Sequence, residues 1–143
     1  MMQIFGLILM IIIFSLFSCK KEESVGVVSN EEIKNYIANS KNENFDDLLR
    51  IEYNNKSLYL LSKNKNTSSN RKLLLEVADT YYKLYKNDKL KETSLLLVER
   101  AKKANDSIIL GKAYNFLGKH KLDENELDSS FYFYIKAEKI FIK

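Results

Sequence analysis

The chain has 143 residues, of which 45% are hydrophobic and 29% charged, with a formal net charge of +4. This length suffices for one buried core, so a single globular domain is expected. The absence of proline argues against a turn-dense β-sandwich or barrel. The single cysteine excludes a disulfide framework and a multi-cysteine zinc site. The 20 Lys and three Arg are interleaved with 19 acidic residues, without the basic stripe of a nucleic-acid-binding surface.

The N-terminal segment has the composition of a targeting sequence. Residues 1–19 carry no charge, and Ile4–Phe17 is apolar apart from Gly6 and Ser15. A core of about 14 apolar residues is closer to the central region of a signal peptide than to the ~20 residues of a membrane-spanning helix. The apolar stretch ends at Cys19, and the polar sequence Lys20-Lys21-Glu22-Glu23 follows at once.

The sequence Leu16-Phe17-Ser18-Cys19 resembles the lipobox of bacterial lipoproteins. This resemblance implies a signal peptide over residues 1–18, acylation of Cys19, a polar linker over residues 19–29 and a lipid-anchored location in the cell envelope, on the periplasmic or surface side of the outer membrane. The polar residues after Cys19 are similar to the export signal of Bacteroidetes surface lipoproteins. Two alternatives are an uncleaved N-terminal membrane anchor and an ordinary secretory signal.

The rest of the chain, residues 30–143, has helical periodicity throughout. Asn30-Glu31-Glu32 suits the start of a short helix with Ile33, Tyr36 and Ile37 on one face. Polar clusters then separate longer apolar stretches that have three- and four-residue spacing. These clusters are Ser40–Asn44, Asn64–Asn70, Lys86–Lys89, Ala104–Ser107 and Asp123–Glu126. The pattern predicts an all-α fold.

Three apolar segments align with one another and indicate a helix–turn–helix repeat. They begin at Ser57, Ser94 and Ser130, which predicts a period of 36 to 37 residues and about two and a half units. These serines are interpreted as small packing residues. Solenoids of this kind end in a helix with a polar outer face. Because the sequence stops at Ile140–Lys143, it is expected to be a shortened form of a longer array, or else to cover its last unit by dimerising.

The last unit resembles the tetratricopeptide repeat family, whose fold is an α-α superhelix. The matching residues have the spacing of an aromatic residue, Leu-Gly, a small residue, an aromatic residue and Ala: Tyr114, Leu117, Gly118, Ser130, Tyr134 and Ala137. The resemblance implies that Gly118 and Ser130 allow close helix crossing and that the larger side chains fill the space between the helices. It covers residues 45–143, and the middle unit departs from it at Tyr82, where glycine is usual.

In that family the first helix of each unit lines the ligand-binding face. The resemblance therefore implies a binding face of mixed charge that suits a polar, extended peptide. Its residues here are Glu76, Asp79, Lys83, Lys112, Asn115 and Lys119. The expected function is that of a lipid-anchored scaffold that binds a protein or peptide partner, without a cofactor or metal. The alternatives are the extracytoplasmic sensory part of a longer signalling or transcription-regulatory protein, and an envelope assembly factor.

An enzyme is not expected, because no set of residues in the sequence forms a catalytic constellation. His120 lies between Lys119 and Lys121 and is interpreted as an exposed helix residue without a partner. The aromatic run Phe131–Tyr134 is interpreted as part of the core between helices, with a ligand-stacking groove as the alternative.

Overall fold

The computed structural model describes residues 29–142, which form six α-helices and no β-strand. The prediction of an all-α fold is confirmed. The proposed signal peptide and Cys19 lie outside the described residues. The helices are α1 (Asn30–Lys41), α2 (Asp47–Lys63), α3 (Ser68–Lys83), α4 (Asn87–Lys103), α5 (Ser107–Asp123) and α6 (Leu127–Phe141).

Side-chain caps define where four of the helices begin. The side chains of Ser29, Asp46, Thr67 and Asp106 accept hydrogen bonds from backbone N–H groups in the first turns of α1, α2, α3 and α5. Each such bond satisfies a donor that the helix itself leaves unpaired and adds about 1 kcal/mol to stability.

The helices repeat with a period of 40 residues. The helices α2, α4 and α6 begin at Asp47, Asn87 and Leu127, which are 40 residues apart. The turns before α4 and α6 each contain a residue with positive φ, Tyr85 and Asn125, again 40 residues apart. Burial follows the same period: the buried sets are Ile33, Leu73 and Ala113; Ile37, Val77 and Leu117; and Ser40, Thr80 and His120.

The predicted period of 36 to 37 residues is therefore wrong by about one helical turn. Residues three or four positions apart lie on the same face of a helix, so an alignment shifted by one turn still superposes apolar on apolar positions. Ser130 matches Ser94 in sequence, but the structural equivalent of Ser94 is Tyr134. The first unit is also complete, because α1 packs on α2 as α3 does on α4.

The helices pack as consecutive neighbours. Turns of three to five residues join each helix to the next, and α1–α3 and α3–α5 also contact each other. The first helices of the three pairs therefore lie side by side. One main apolar cluster extends from Ile33 in α1 to Phe116 in α5, and a smaller one joins Tyr114 and Leu117 to Ala137.

Buried polar side chains connect one helix pair to the next. Arg71 Nε donates to Asp106 Oδ2 over 2.9 Å, and Arg100 Nη2 donates to the carbonyl oxygen of Ser62 over 2.9 Å. Asn54, which is fully buried, donates from Nδ2 to the carbonyl oxygen of Val77 and accepts a hydrogen bond from Ser40. These bonds fix how α2 to α5 sit against one another.

The crossing of α5 and α6 has a close approach at Gly118. Ser130 Oγ donates to the carbonyl oxygen of Gly118 over 2.9 Å, and the Tyr134 ring covers the glycine. A Cβ atom at Gly118 would lie 2.7 Å from Tyr134 Cε1, closer than real Cβ contacts. Ala137 is buried against Tyr114 and Leu117 in the same contact.

Gly118→Ala is expected to lower the free energy of unfolding by about 1 kcal/mol, because displacing the Tyr134 ring costs more than the gain in helix propensity. Gly111→Ala is the matched control. Its added Cβ would meet only the tip of Phe141, a half-exposed side chain in the last residue of α6 that is free to move. Urea denaturation should show Gly111→Ala unchanged or more stable. Equal destabilisation by both variants would contradict a specific close approach at Gly118.

Candidate functional site

A groove of about 340 Å³ runs between the first helices of the three pairs. Five of the six residues expected on the binding face line it: Glu76, Asp79, Lys112, Asn115 and Lys119. The sixth, Lys83, is not among the lining residues, but its Nζ lies 2.8 Å from Asp79 Oδ2. The sequence analysis missed Lys41, at the end of α1, and the two apolar residues Leu75 and Phe116.

Both carboxylates of the groove already have a lysine partner. Glu76 forms an ion pair with Lys41, and Asp79 forms one with Lys83. The hydrogen bond from Lys83 to Asp79 raises the pKa of the Lys83 ammonium group above its ordinary value. The acidic side chains are thus largely neutralised by the protein itself.

The two lysines of α5 have no carboxylate partner among the described residues. Lys119 Nζ lies 4.1 Å from the ring centroid of Tyr82 and 5.3 Å from that of Phe116, which are cation–π distances. Lys112 is exposed on the same helix, seven residues earlier, or about 10 Å along the helix axis. The groove therefore carries an excess of positive charge on α5.

A second cleft of about 330 Å³ adjoins this groove on the side of α1. Lys34, Ile37, Ala38 and Leu73 line it, and it shares Lys41 and Glu76 with the groove. The two depressions together cross α1, α3 and α5, and each has apolar side chains among charged ones. A surface of this form suits an extended ligand better than a small compact one.

His120 is buried, contrary to the expectation of an exposed residue. Its side chain is 1% exposed, and Nε2 lies 3.3 Å from Glu124 Oε2. It occupies the same buried position as Ser40 and Thr80 in the preceding units. Lys121 also binds Glu124, over 2.7 Å, and this hydrogen bond holds the pKa of the Glu124 carboxyl below its ordinary value. The described residues contain no cluster of His, Cys, Asp and Glu that could hold a metal ion.

The aromatic run on α6 is only partly in the core. Phe133 and Tyr134 are half-buried, and the Phe133 ring stacks on Tyr114 with centroids 6.2 Å apart. Phe131 and Tyr132 are 70% and 54% exposed. The interpretation of the whole run as inter-helix core is therefore wrong for its first two residues, which face away from α5.

Comparison of the chain with protein-family models, curated proteins and solved structures gave no match. Within residues 29–142, none of the helices has the length and apolar content needed to cross a membrane.

Proposed function

We propose that the chain is a protein–protein interaction scaffold whose groove between α1, α3 and α5 binds a polar, extended segment of a partner protein. We infer that its helix pairs stack as a tetratricopeptide-like superhelix with these three helices on the ligand-binding side. The observation that carries the proposal is the pair of lysines on α5, Lys112 and Lys119, beside the apolar groove residues Leu75 and Phe116. Neither lysine has a carboxylate partner among the described residues.

This arrangement supports a ligand with acidic side chains. A carboxylate that meets Lys112 or Lys119 gains an interaction that the protein does not supply, whereas a basic ligand finds Glu76 and Asp79 already paired. Residues three apart in a polyproline-type extended chain lie on one side and about 9 Å apart. That spacing is close to the rise of about 10 Å between the two lysines.

The proposal predicts that unstructured peptides with glutamate pairs three residues apart bind the full chain more tightly than their glutamine versions. Lys112→Glu combined with Lys119→Glu should weaken binding of the glutamate peptides by about tenfold, because two exposed ion pairs contribute up to about 1 kcal/mol each. Fluorescence anisotropy with labelled peptides measures both effects.

Lys102→Glu is the matched control, since Lys102 is an exposed lysine on α4 outside the groove. It should leave the affinity within twofold. If the glutamate and glutamine peptides bind equally, or if Lys102→Glu weakens binding as much as the double variant, the groove is not the binding site.

We also propose that acylated Cys19 anchors this scaffold in the cell envelope, on the strength of the lipobox resemblance. Expression in a bacterial host with lipoprotein processing should give a mature chain that begins at Cys19 and carries the added mass of its acyl chains. The Cys19→Ala variant should lack that species. An intact Met1 with unmodified Cys19 would overturn this anchor.

A further inference from the structure

The outer face of α6 carries a stripe of large apolar side chains that contact no other helix of the described chain extensively. They are between 40% and 77% exposed. Residues four apart lie on one face of a helix, so these side chains form one surface, referred to below as the α6 stripe. Its members are Leu127, Phe131, Tyr132, Ile135 and Ile142.

The equivalent face of α4 is polar. The residues 40 positions before Phe131 and Tyr132 are Lys91 and Glu92, both exposed. They remain exposed although the α5–α6 pair packs against α4. A further helix pair stacked on α6 in the same way would therefore leave Phe131 and Tyr132 uncovered. Repeat stacking does not account for the stripe, which has a separate occupant.

Two charged residues beside the stripe point to that occupant. Asp128 and Lys139 are 11 residues apart, which is three helical turns or about 16 Å, so they lie on the same side of α6. Neither makes an ion pair with another described residue, whereas α1 to α4 each carry at least one ion pair between residues three or four positions apart. Opposite charges at the two ends of one flank complement each other in an antiparallel pair of identical helices.

We propose that the α6 stripe is a self-association surface, on which α6 of a second copy packs antiparallel about a twofold axis near residues 133 and 134. In this arrangement Asp128 of each copy faces Lys139 of the other, and Phe131 and Ile135 lie close to the axis. Such an interface is isologous and closed. The stripe offers roughly 500–600 Å² per copy, at the low end of specific interfaces, so the dimer is weak and forms at micromolar concentration.

Sedimentation equilibrium of the full chain in nonionic detergent tests this association. The wild-type chain should shift from monomer to dimer with increasing concentration. Phe131→Lys, which introduces the residue type that α4 carries at the equivalent position, should raise the dissociation constant at least tenfold. Leu95→Lys is the matched control because Leu95, half-exposed on α4, is the equivalent of Ile135; it should leave the dissociation constant unchanged. Far-ultraviolet circular dichroism checks that both variants stay helical.

Charge reversal tests the antiparallel direction. Asp128→Lys and Lys139→Asp should each weaken association about threefold to tenfold, since each places like charges together at two sites. The double variant should restore wild-type association. A monomer at all concentrations would overturn the proposal, as would a dimer that Phe131→Lys does not weaken, for example one formed through the apolar residues Ile4–Phe17. A dimer that the double variant fails to restore would overturn the antiparallel arrangement.

Discussion

Asp106→Ala is expected to lower the free energy of unfolding by about 3 kcal/mol, because it removes two interactions at once. Asp106 Oδ1 accepts a hydrogen bond from the backbone N–H of Ile109 at the start of α5, and Oδ2 accepts one from Arg71 Nε. The Arg71 side chain is only 8% exposed. Without the carboxylate, its guanidinium charge is left buried beside the uncharged Asn66.

Urea denaturation of a small set of variants separates these two contributions. Asp106→Asn keeps a side chain that caps helices well and removes the charge. Asp46→Ala is the matched control, because Asp46 caps α2 in the same way and takes no part in an ion pair; it should cost about 1 kcal/mol. If Asp106→Ala costs no more than Asp46→Ala, the buried ion pair does not stabilise the stacking of the second and third helix pairs.

Tyr81→Ala is expected to cost about 4 kcal/mol, in the range typical of truncating a fully buried aromatic side chain. Tyr81 is completely buried between α3 and its neighbours, and its Oη donates to Asn55 Oδ1 over 2.7 Å. Tyr81→Phe removes only this hydrogen bond and should cost about 1 kcal/mol. A large loss in the phenylalanine variant would show that the hydroxyl group, and not ring packing, stabilises this position.

The same tyrosine makes stability sensitive to alkaline pH. Burial raises the pKa of Tyr81 well above its ordinary value, so the phenol stays neutral in the folded chain at a pH where it ionises in the unfolded chain. Its contribution is complete below pH ~10 and falls by about 1.4 kcal/mol for each pH unit above that. The stability advantage of the wild type over Tyr81→Phe should therefore shrink between pH 8 and pH 11. A constant difference would contradict this.

The helices were predictable because local signals agree with tertiary packing. Each polar cluster that separated apolar stretches in the sequence corresponds to a turn or a helix end in the structure. The acidic start of α1 also follows a capping serine, Ser29. These signals act over a few residues and need no knowledge of which helices meet.

The repeat register was not predictable from the apolar pattern, because that pattern has the period of the helix itself. The αL residues Tyr85 and Asn125 give the true register, but no glycine marks either turn. His120 was misassigned from its neighbours Lys119 and Lys121. Its spacing of three residues from Leu117 and seven from Ala113, both buried, was a signal for burial.

The groove was predictable in part, and the omissions have a common cause. Glu76, Asp79, Lys112, Asn115 and Lys119 followed from assigning α3 and α5 as the first helices of their units. Lys41 was missed because α1 was not counted as the first helix of a complete unit. Leu75 and Phe116 were missed because apolar residues in a helix are first assigned to the core, and only the packing of α3 beside α5 brings them to the groove.

The 40-residue period also sets the width of the surface that the helices present. A tetratricopeptide repeat has about 34 residues, so with turns of similar length each helix here is about three residues, or roughly 4.5 Å, longer. A repeat of the shorter kind grafted between two of these units would leave nearly one turn of each neighbour uncovered. Lengthening or shortening of such an array is therefore expected to occur in blocks of 40 residues, which keep every helix end level with the next.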